Sequence, residues 1–146
     1  MPRLEGDDLH EMVRLAKHAA ERAYAPYSSF RVGACIRTTL GTLVAGCNVE
    51  NLSFGLSHCA ERTAITRAVA EGALEAGARI QAVVIYTPTP TTTPPCGMCR
   101  QVLHEFAAAD SLEVVTVCDD PSALRRYELR DLFPFPFDST LPSQTP

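Results

Sequence analysis

No uninterrupted apolar run in this chain approaches the roughly 18 residues that a membrane-spanning helix requires, so no membrane partner is expected. A Lys/Arg-rich stripe is also missing: 17 acidic residues against 13 basic ones give a formal charge of −4. Nucleic-acid affinity comes mostly from clustered basic side chains that release counterions, so a phosphate backbone is a poor partner for this surface. The first eight residues, Met1 to Asp8, are too acidic and polar for a signal peptide, and the chain reads as cytoplasmic. There is no internal repeat. The one compositionally biased stretch, Thr87 to Pro95, reads as a loop because its prolines cannot continue a strand or helix.

What is present is enough for one ordinary core. With 146 residues, 46% of them hydrophobic, a chain of this size buries roughly 70% of the surface it exposes when unfolded and needs no disulfide staples. A single domain is expected over residues 1–137, followed by a Ser/Thr/Pro tail over 138–146 that reads as poorly ordered. Six cysteines therefore need another explanation. In a reducing compartment they are core residues, metal ligands or catalytic thiols more often than disulfides.

Leu9, Met12, Val13, Ala16, Ala19, Ala20 and Ala23 recur at a helical period, with Asp8 and Glu11 at capping-box spacing, and predict a helix over Asp7 to Tyr24 that Pro26 ends. Phe30 to Arg37 and Thr42 to Val49 flank a Gly41 turn and predict a hairpin. A helix is expected from about Cys59 to residue 71, then a strand buried on both faces at Ile80 to Tyr86. A further helix follows from Cys96 to Phe106, and then a strand from Leu112 to Cys118. Only Asp119 to Leu124 separates that strand from the run Arg125 to Leu129. This is too short for a parallel crossover, so the last two strands should be antiparallel.

Cys96-x-x-Cys99 taken alone reads as half a zinc site, a redox dithiol or two unremarkable thiols. The redox reading weakens because a thioredoxin-like dithiol should follow the first strand of its unit, whereas this one comes late. Cys59-Ala60-Glu61 also sits where a helix should begin. If both helices start at the same sheet edge, three thiolates meet and leave a fourth zinc position open to water. Helix N-termini, each equivalent to roughly +0.5 charge, and Arg62 and Arg100 donating to sulfur would offset the excess negative charge. Glu61 would then face the open position as a proton carrier, a pattern already known for zinc nucleobase deaminases.

Along nearly its whole length the chain resembles the small, homotetrameric, three-cysteine cytidine deaminases. The resemblance rests on Ala25 to Ala34, Gly46 to Asn51, Cys59 to Ala64, Pro94 to Gln101 and Leu132 to Phe137. It implies a three-layer α/β/α fold with a mixed five-stranded sheet, and hydrolysis of cytidine and 2′-deoxycytidine to the uridines plus ammonia. One zinc ion per chain is implied on Cys59, Cys96 and Cys99, with Glu61 as proton shuttle. Asn48 and Glu50 would hold the ribose 3′-hydroxyl, with Phe30 and Ala60 also touching substrate. Phe137 would reach into a neighbouring subunit's site, so that the homotetramer is needed for activity. Phe54 stands where many relatives carry Tyr. Blasticidin-type deaminases share the zinc motifs but lack the glutamate of Asn48-Val49-Glu50, and polynucleotide deaminases run the last strands parallel. A closed structural zinc module would need a fourth ligand, for which His58 and Cys47 are weak candidates. Cys35, Cys47 and Cys118 read as buried small hydrophobes.

Overall fold

The structure is a computed structural model that describes residues 3–109 and 111–138. Apart from Asp138, the expected tail lies outside the described residues. The elements are α1 (Gly6–Glu21), β1 (Gly33–Thr38), β2 (Leu43–Cys47), α2 (Ala60–Ala70), β3 (Ile80–Tyr86), α3 (Gly97–Phe106), β4 (Glu113–Val117), β5 (Arg125–Glu128) and α4 (Leu129–Leu132). One sheet in the order β2-β1-β3-β4-β5 collects the strands. Only β3 and β4 run parallel, joined through α3, while β4 and β5 are antiparallel as their short connection, residues 118–124, requires.

The alternation of side chains along the central strands creates the three layers. Ala34, Ile36, Val83, Ile85 and Val114 point to one face, where they pack with Ala64, Ile65 and Ala68 of α2 and Leu103 of α3. Cys35, Ala82, Val84, Val115 and Val117 point to the other, against Met12 and Ala16 of α1. β3 is buried on both faces from Ala82 to Ile85, which explains the apolar run there after Gln81. All six cysteines are unpaired. Cys35 and Cys118 are buried as expected, and Cys47 at the end of β2 is only half-buried. No described helix is long and apolar enough to cross a membrane.

α1 departs from the reading at both ends. Its N-cap is Glu5, without a side-chain cap, so Asp8 lies inside the first turn and pairs with Arg37 at 2.9 Å, while Glu11 pairs with Arg14. Tertiary and local ion pairs take the two carboxylates that a capping box would have used. The helix stops at Glu21, well before Pro26, because the chain leaves it to pair as an extension of the sheet: Tyr24 N donates to the Asn48 carbonyl at 3.1 Å and Glu50 N to the Tyr24 carbonyl at 2.8 Å.

Two glycines let the helices approach the hairpin strands. A Cβ at Gly33 would lie 1.7 Å from the Ala16 carbonyl oxygen of α1, and one at Gly46 would lie 2.4 Å from the Ala64 nitrogen of α2. Both obstacles are backbone and cannot swing aside. Gly46→Ala is therefore expected to destabilise the fold by roughly 1–3 kcal/mol through overpacking, read as a thermal midpoint several degrees lower. An unchanged midpoint would mean that α2 slides freely on the sheet.

Candidate active site

α2 and α3 start side by side on the same face of the sheet, near the C-terminal end of β3 and the start of β1. Cys59 is the N-cap of α2, Cys96 the N-cap of α3, and Cys99 lies one turn into α3. Their sulfurs lie within 4.8 Å of one another, with Cys59 Sγ and Cys96 Sγ 3.7 Å apart. Cys99 is buried, Cys59 half-buried and Cys96 exposed, so the cluster opens to one side. Among the described residues it has three members, and no fourth His, Cys, Asp or Glu completes it.

These residues fit a zinc ion. Soft thiolates favour it, two helix N-termini supply positive potential, and three ligands leave a position open. Arg62 Nη2 stands 3.5 Å from Cys59 Sγ and also donates to the Ser57 carbonyl at 3.2 Å. The Cys59 thiol is held well below its usual range, first by the hydrogen bond from Cys99 and then by Arg62, and Cys99 is pushed up in return.

Glu61 follows in the first turn of α2, 4% exposed, with Oε2 3.6 Å from Cys99 Sγ. Burial pushes its carboxyl up to about 7, with the charge on Cys59 acting in the same direction. A carboxyl in this range can both take and return a proton near neutral pH.

A cavity of about 240 Å³ lies over this floor, walled by Phe30, Val32, Asn48, Glu50, Ala60 and Ile85 on one side and Thr87, Thr93 and Pro94 on the other. That is below the roughly 300–1,000 Å³ usual for small-molecule sites. A larger cavity of about 460 Å³ lies at the opposite end of the sheet, lined by Arg3, Arg37, Arg126 and Glu113. Its arginines are paired with Glu113 and Asp8, and the thiol cluster is nowhere near it.

The structure thus gathers Cys59, Cys96, Cys99, Glu61, Arg62, Phe30, Asn48, Glu50 and Ala60. Two further residues named from the sequence lie apart from it, Phe137 being expected in a neighbouring subunit's site. Arg100, expected to donate to sulfur, sends its hydrogen bonds to the Pro95 carbonyl at 2.8 Å and the Leu132 carbonyl at 2.6 Å. Phe137 does not line this pocket and is held on the outside of α3.

Asn48 and Glu50 also do more than line the wall. Asn48 Oδ1 accepts Val32 N at 2.8 Å and Nδ2 donates to the Phe30 carbonyl at 2.7 Å, which fixes the segment carrying the Phe30 ring. Glu50, expected from the resemblance to hold a sugar hydroxyl, already has partners within the chain. It is half-exposed, and it accepts the backbone N–H groups of Tyr27 and Ser28 and the Ser28 hydroxyl. The Ser28 hydrogen bond holds its carboxyl below the usual range. Ser28 Oγ in turn accepts Phe30 N at 3.0 Å, so one serine ties Glu50 to Phe30. Sequence reasoning missed Ser28 and the wall residues Thr87, Thr93 and Pro94; the bias of the Thr/Pro stretch was the available signal for the latter.

A family model described as the cytidine and deoxycytidylate deaminase zinc-binding region matches residues 7–116. The chain is 41% identical over 104 residues to a cytidine deaminase of Halalkalibacterium halodurans, covering 71% of this chain and 76% of that one. It is 40% identical over 122 residues to a cytidine deaminase of Mycobacterium tuberculosis, covering 84% of each. The crystal structure of a cytidine deaminase from Burkholderia pseudomallei superimposes with a TM-score of 0.77 at 43% identity, covering 88% of this chain and 98% of that one. The family match spans well over half the chain, and the chain belongs to the cytidine and deoxycytidylate deaminase zinc-binding family.

Proposed function

We propose that this chain hydrolyses cytidine and 2′-deoxycytidine to uridine and 2′-deoxyuridine with release of ammonia. The observation that carries the proposal is the buried Glu61 carboxyl beside three converging thiols, at the floor of a pocket with an aromatic wall and a polar end. One zinc ion per chain would be held by Cys59, Cys96 and Cys99, and when bound it supplies a water of lowered pKa. Glu61 stands where it would take a proton from such a water and deliver it to ring N3. The same carboxylate would then take the proton of the hydroxyl added at C4 and give it to the departing amino group, which leaves as ammonia. Arg62 tempers the charge on Cys59, and Phe30 flanks the ring.

Glu50 and Asn48 hold the sugar 3′-hydroxyl in this reading. A carboxylate has about four lone-pair sites, so Glu50 keeps capacity after accepting its three donors, and Asn48 Nδ2 keeps a second hydrogen. Glu50→Gln turns an amide N–H₂ toward Ser28 and Tyr27, which are donors themselves. Its kcat/KM for cytidine should fall roughly ten- to a hundredfold, the usual worth of a hydrogen bond to a charged group. The preference for cytidine over 3′-deoxycytidine should shrink with it. A preference kept intact would remove Glu50 from sugar binding.

The antiparallel β5 and the absence of a basic stripe favour a free nucleoside over a polynucleotide, and the Glu50 position favours cytidine over blasticidin. The exposed rings of Tyr27 and Phe54 at the rim, packed edge to face at 5.6 Å, and the incomplete pocket support a homotetramer in which Phe137 of one subunit completes another's site. Six unpaired cysteines fit a cytoplasmic enzyme of pyrimidine salvage. The test is a substrate panel of cytidine, deoxycytidine, cytidine monophosphate, blasticidin S and free cytosine, run alongside zinc analysis. Turnover of the two nucleosides with one zinc per chain is expected, and preference for any other member of the panel would overturn the reading.

A further inference from the structure

Beyond β5 and α4 the chain runs from Phe133 to Asp138 without helix or strand, yet one turn of α3 grips it at successive points. Arg100 Nη1 donates to the Leu132 carbonyl at 2.6 Å. Gln101 spans both polar groups of Phe137: its Nε2 donates to the Phe137 carbonyl at 3.0 Å, and its Oε1 accepts the Phe137 N–H at 3.2 Å. His104 Nε2 lies 3.6 Å from Asp138 Oδ2, and its ring meets Phe133 edge-on with centroids 6.3 Å apart.

A side-chain amide that answers the N–H and the C=O of one residue imitates a rung of antiparallel pairing. It fixes both sides of that residue's Cα and so the direction in which the side chain leaves the backbone. The ring aimed in this way is 84% exposed, next to a Phe135 that is 91% exposed. Holding a large apolar ring in water by two hydrogen bonds to its own backbone makes sense where another chain receives the ring.

We propose that Gln101 is a positioning residue that acts in trans, orienting Phe137 for the pocket of a neighbouring copy. Its place in the sequence suggests otherwise, because it stands two residues from Cys99 and invites a role at its own chain's metal. The geometry sends its amide away from sulfur and onto the C-terminal segment. The inference rests on the reading above that Phe137 enters a neighbouring subunit's site.

Gln101→Met keeps the length of the side chain and removes both hydrogen bonds. Its kcat/KM for cytidine should fall roughly tenfold, as two backbone hydrogen bonds are lost, with zinc still at one per chain. In a Phe137→Ala background the same change should cost nothing further. The decisive measurement mixes subunits. Tetramers co-assembled from Gln101→Met chains and inactive Glu61→Gln chains pair an intact Glu61 pocket with a correctly aimed Phe137 from the other chain. Activity per Gln101→Met chain should rise above that of the pure variant.

No rise on mixing overturns the proposal, as does an equal loss in the Phe137→Ala background. Wild-type kcat/KM in Phe137→Ala instead overturns the underlying reading of Phe137, and the inference with it. If Gln101→Met fails to assemble, Gln101→Glu goes through the same mixing with the same two outcomes, since it keeps an acceptor for the Phe137 N–H and sets a second one against the carbonyl. Loss of zinc from both variants places Gln101 at its own metal and likewise overturns the proposal.

Discussion

Glu61→Gln is expected to fold, to bind one zinc per chain, and to lose about 10²- to 10⁴-fold in kcat, the range that a positioned general acid–base group contributes. The amide has the shape of the carboxyl but cannot carry a proton from water to the ring. Nothing in the surroundings of Glu61 depends on its charge for folding: it is buried, its close partner is Cys99 Sγ at 3.6 Å, and burial already disfavours its ionised form. A neutral amide removes the cost of burying a charge, so the thermal midpoint should hold or rise slightly. Cytidine conversion, zinc stoichiometry and a melting curve on the same preparation check all three. Wild-type turnover in a zinc-loaded variant would take the proton-carrying role away from Glu61.

The parts of this architecture that could be read in advance are those where one local rule decides. β3 shows as a nearly continuous apolar run, interrupted only at Gln81, because helices cover both its faces, and the antiparallel β5 follows from a connector too short to cross the sheet. The thiol cluster shows because Cys59 and Cys96 each open a helix. Arg62 and Arg100 mark where such rules stop. Each directly follows a motif residue and stands three or four residues beyond the cysteine that opens its helix, so helical phase alone puts both near sulfur; Arg62 reaches Cys59, whereas the Pro95 and Leu132 carbonyls, brought in by other segments, take Arg100.

The intrachain partners of Glu50 could not be read from the sequence for a related reason. Its burial and partners depend on how the Tyr24–Val32 segment folds over it, which no periodicity in Asn48-Val49-Glu50 encodes. The capping box failed likewise, since Asp8 met Arg37 from another element before it could cap. The Thr/Pro stretch was rightly a loop, but that it supplies Thr87, Thr93 and Pro94 to the pocket follows only from where β3 ends.

Stripping the metal with a chelator, or replacing any one of the three cysteines, is expected to abolish turnover, and the two kinds of cysteine should then separate by stability. Two sulfurs are too few for a tetrahedral protein site, so Cys96→Ala and Cys99→Ala should each retain far less than one zinc per chain. Cys96 is exposed, and in metal-free protein its truncation should leave the thermal midpoint where it was. Cys99 is buried where α3 meets Glu61, so its truncation also opens a cavity and should lower the metal-free midpoint. Zinc analysis and melting of the metal-free forms give both readings from one set of proteins. A full complement of zinc in Cys96→Ala would demand a fourth ligand. The site would then be closed, with no position left for water, and the same three thiols would be holding a fold together instead of performing hydrolysis.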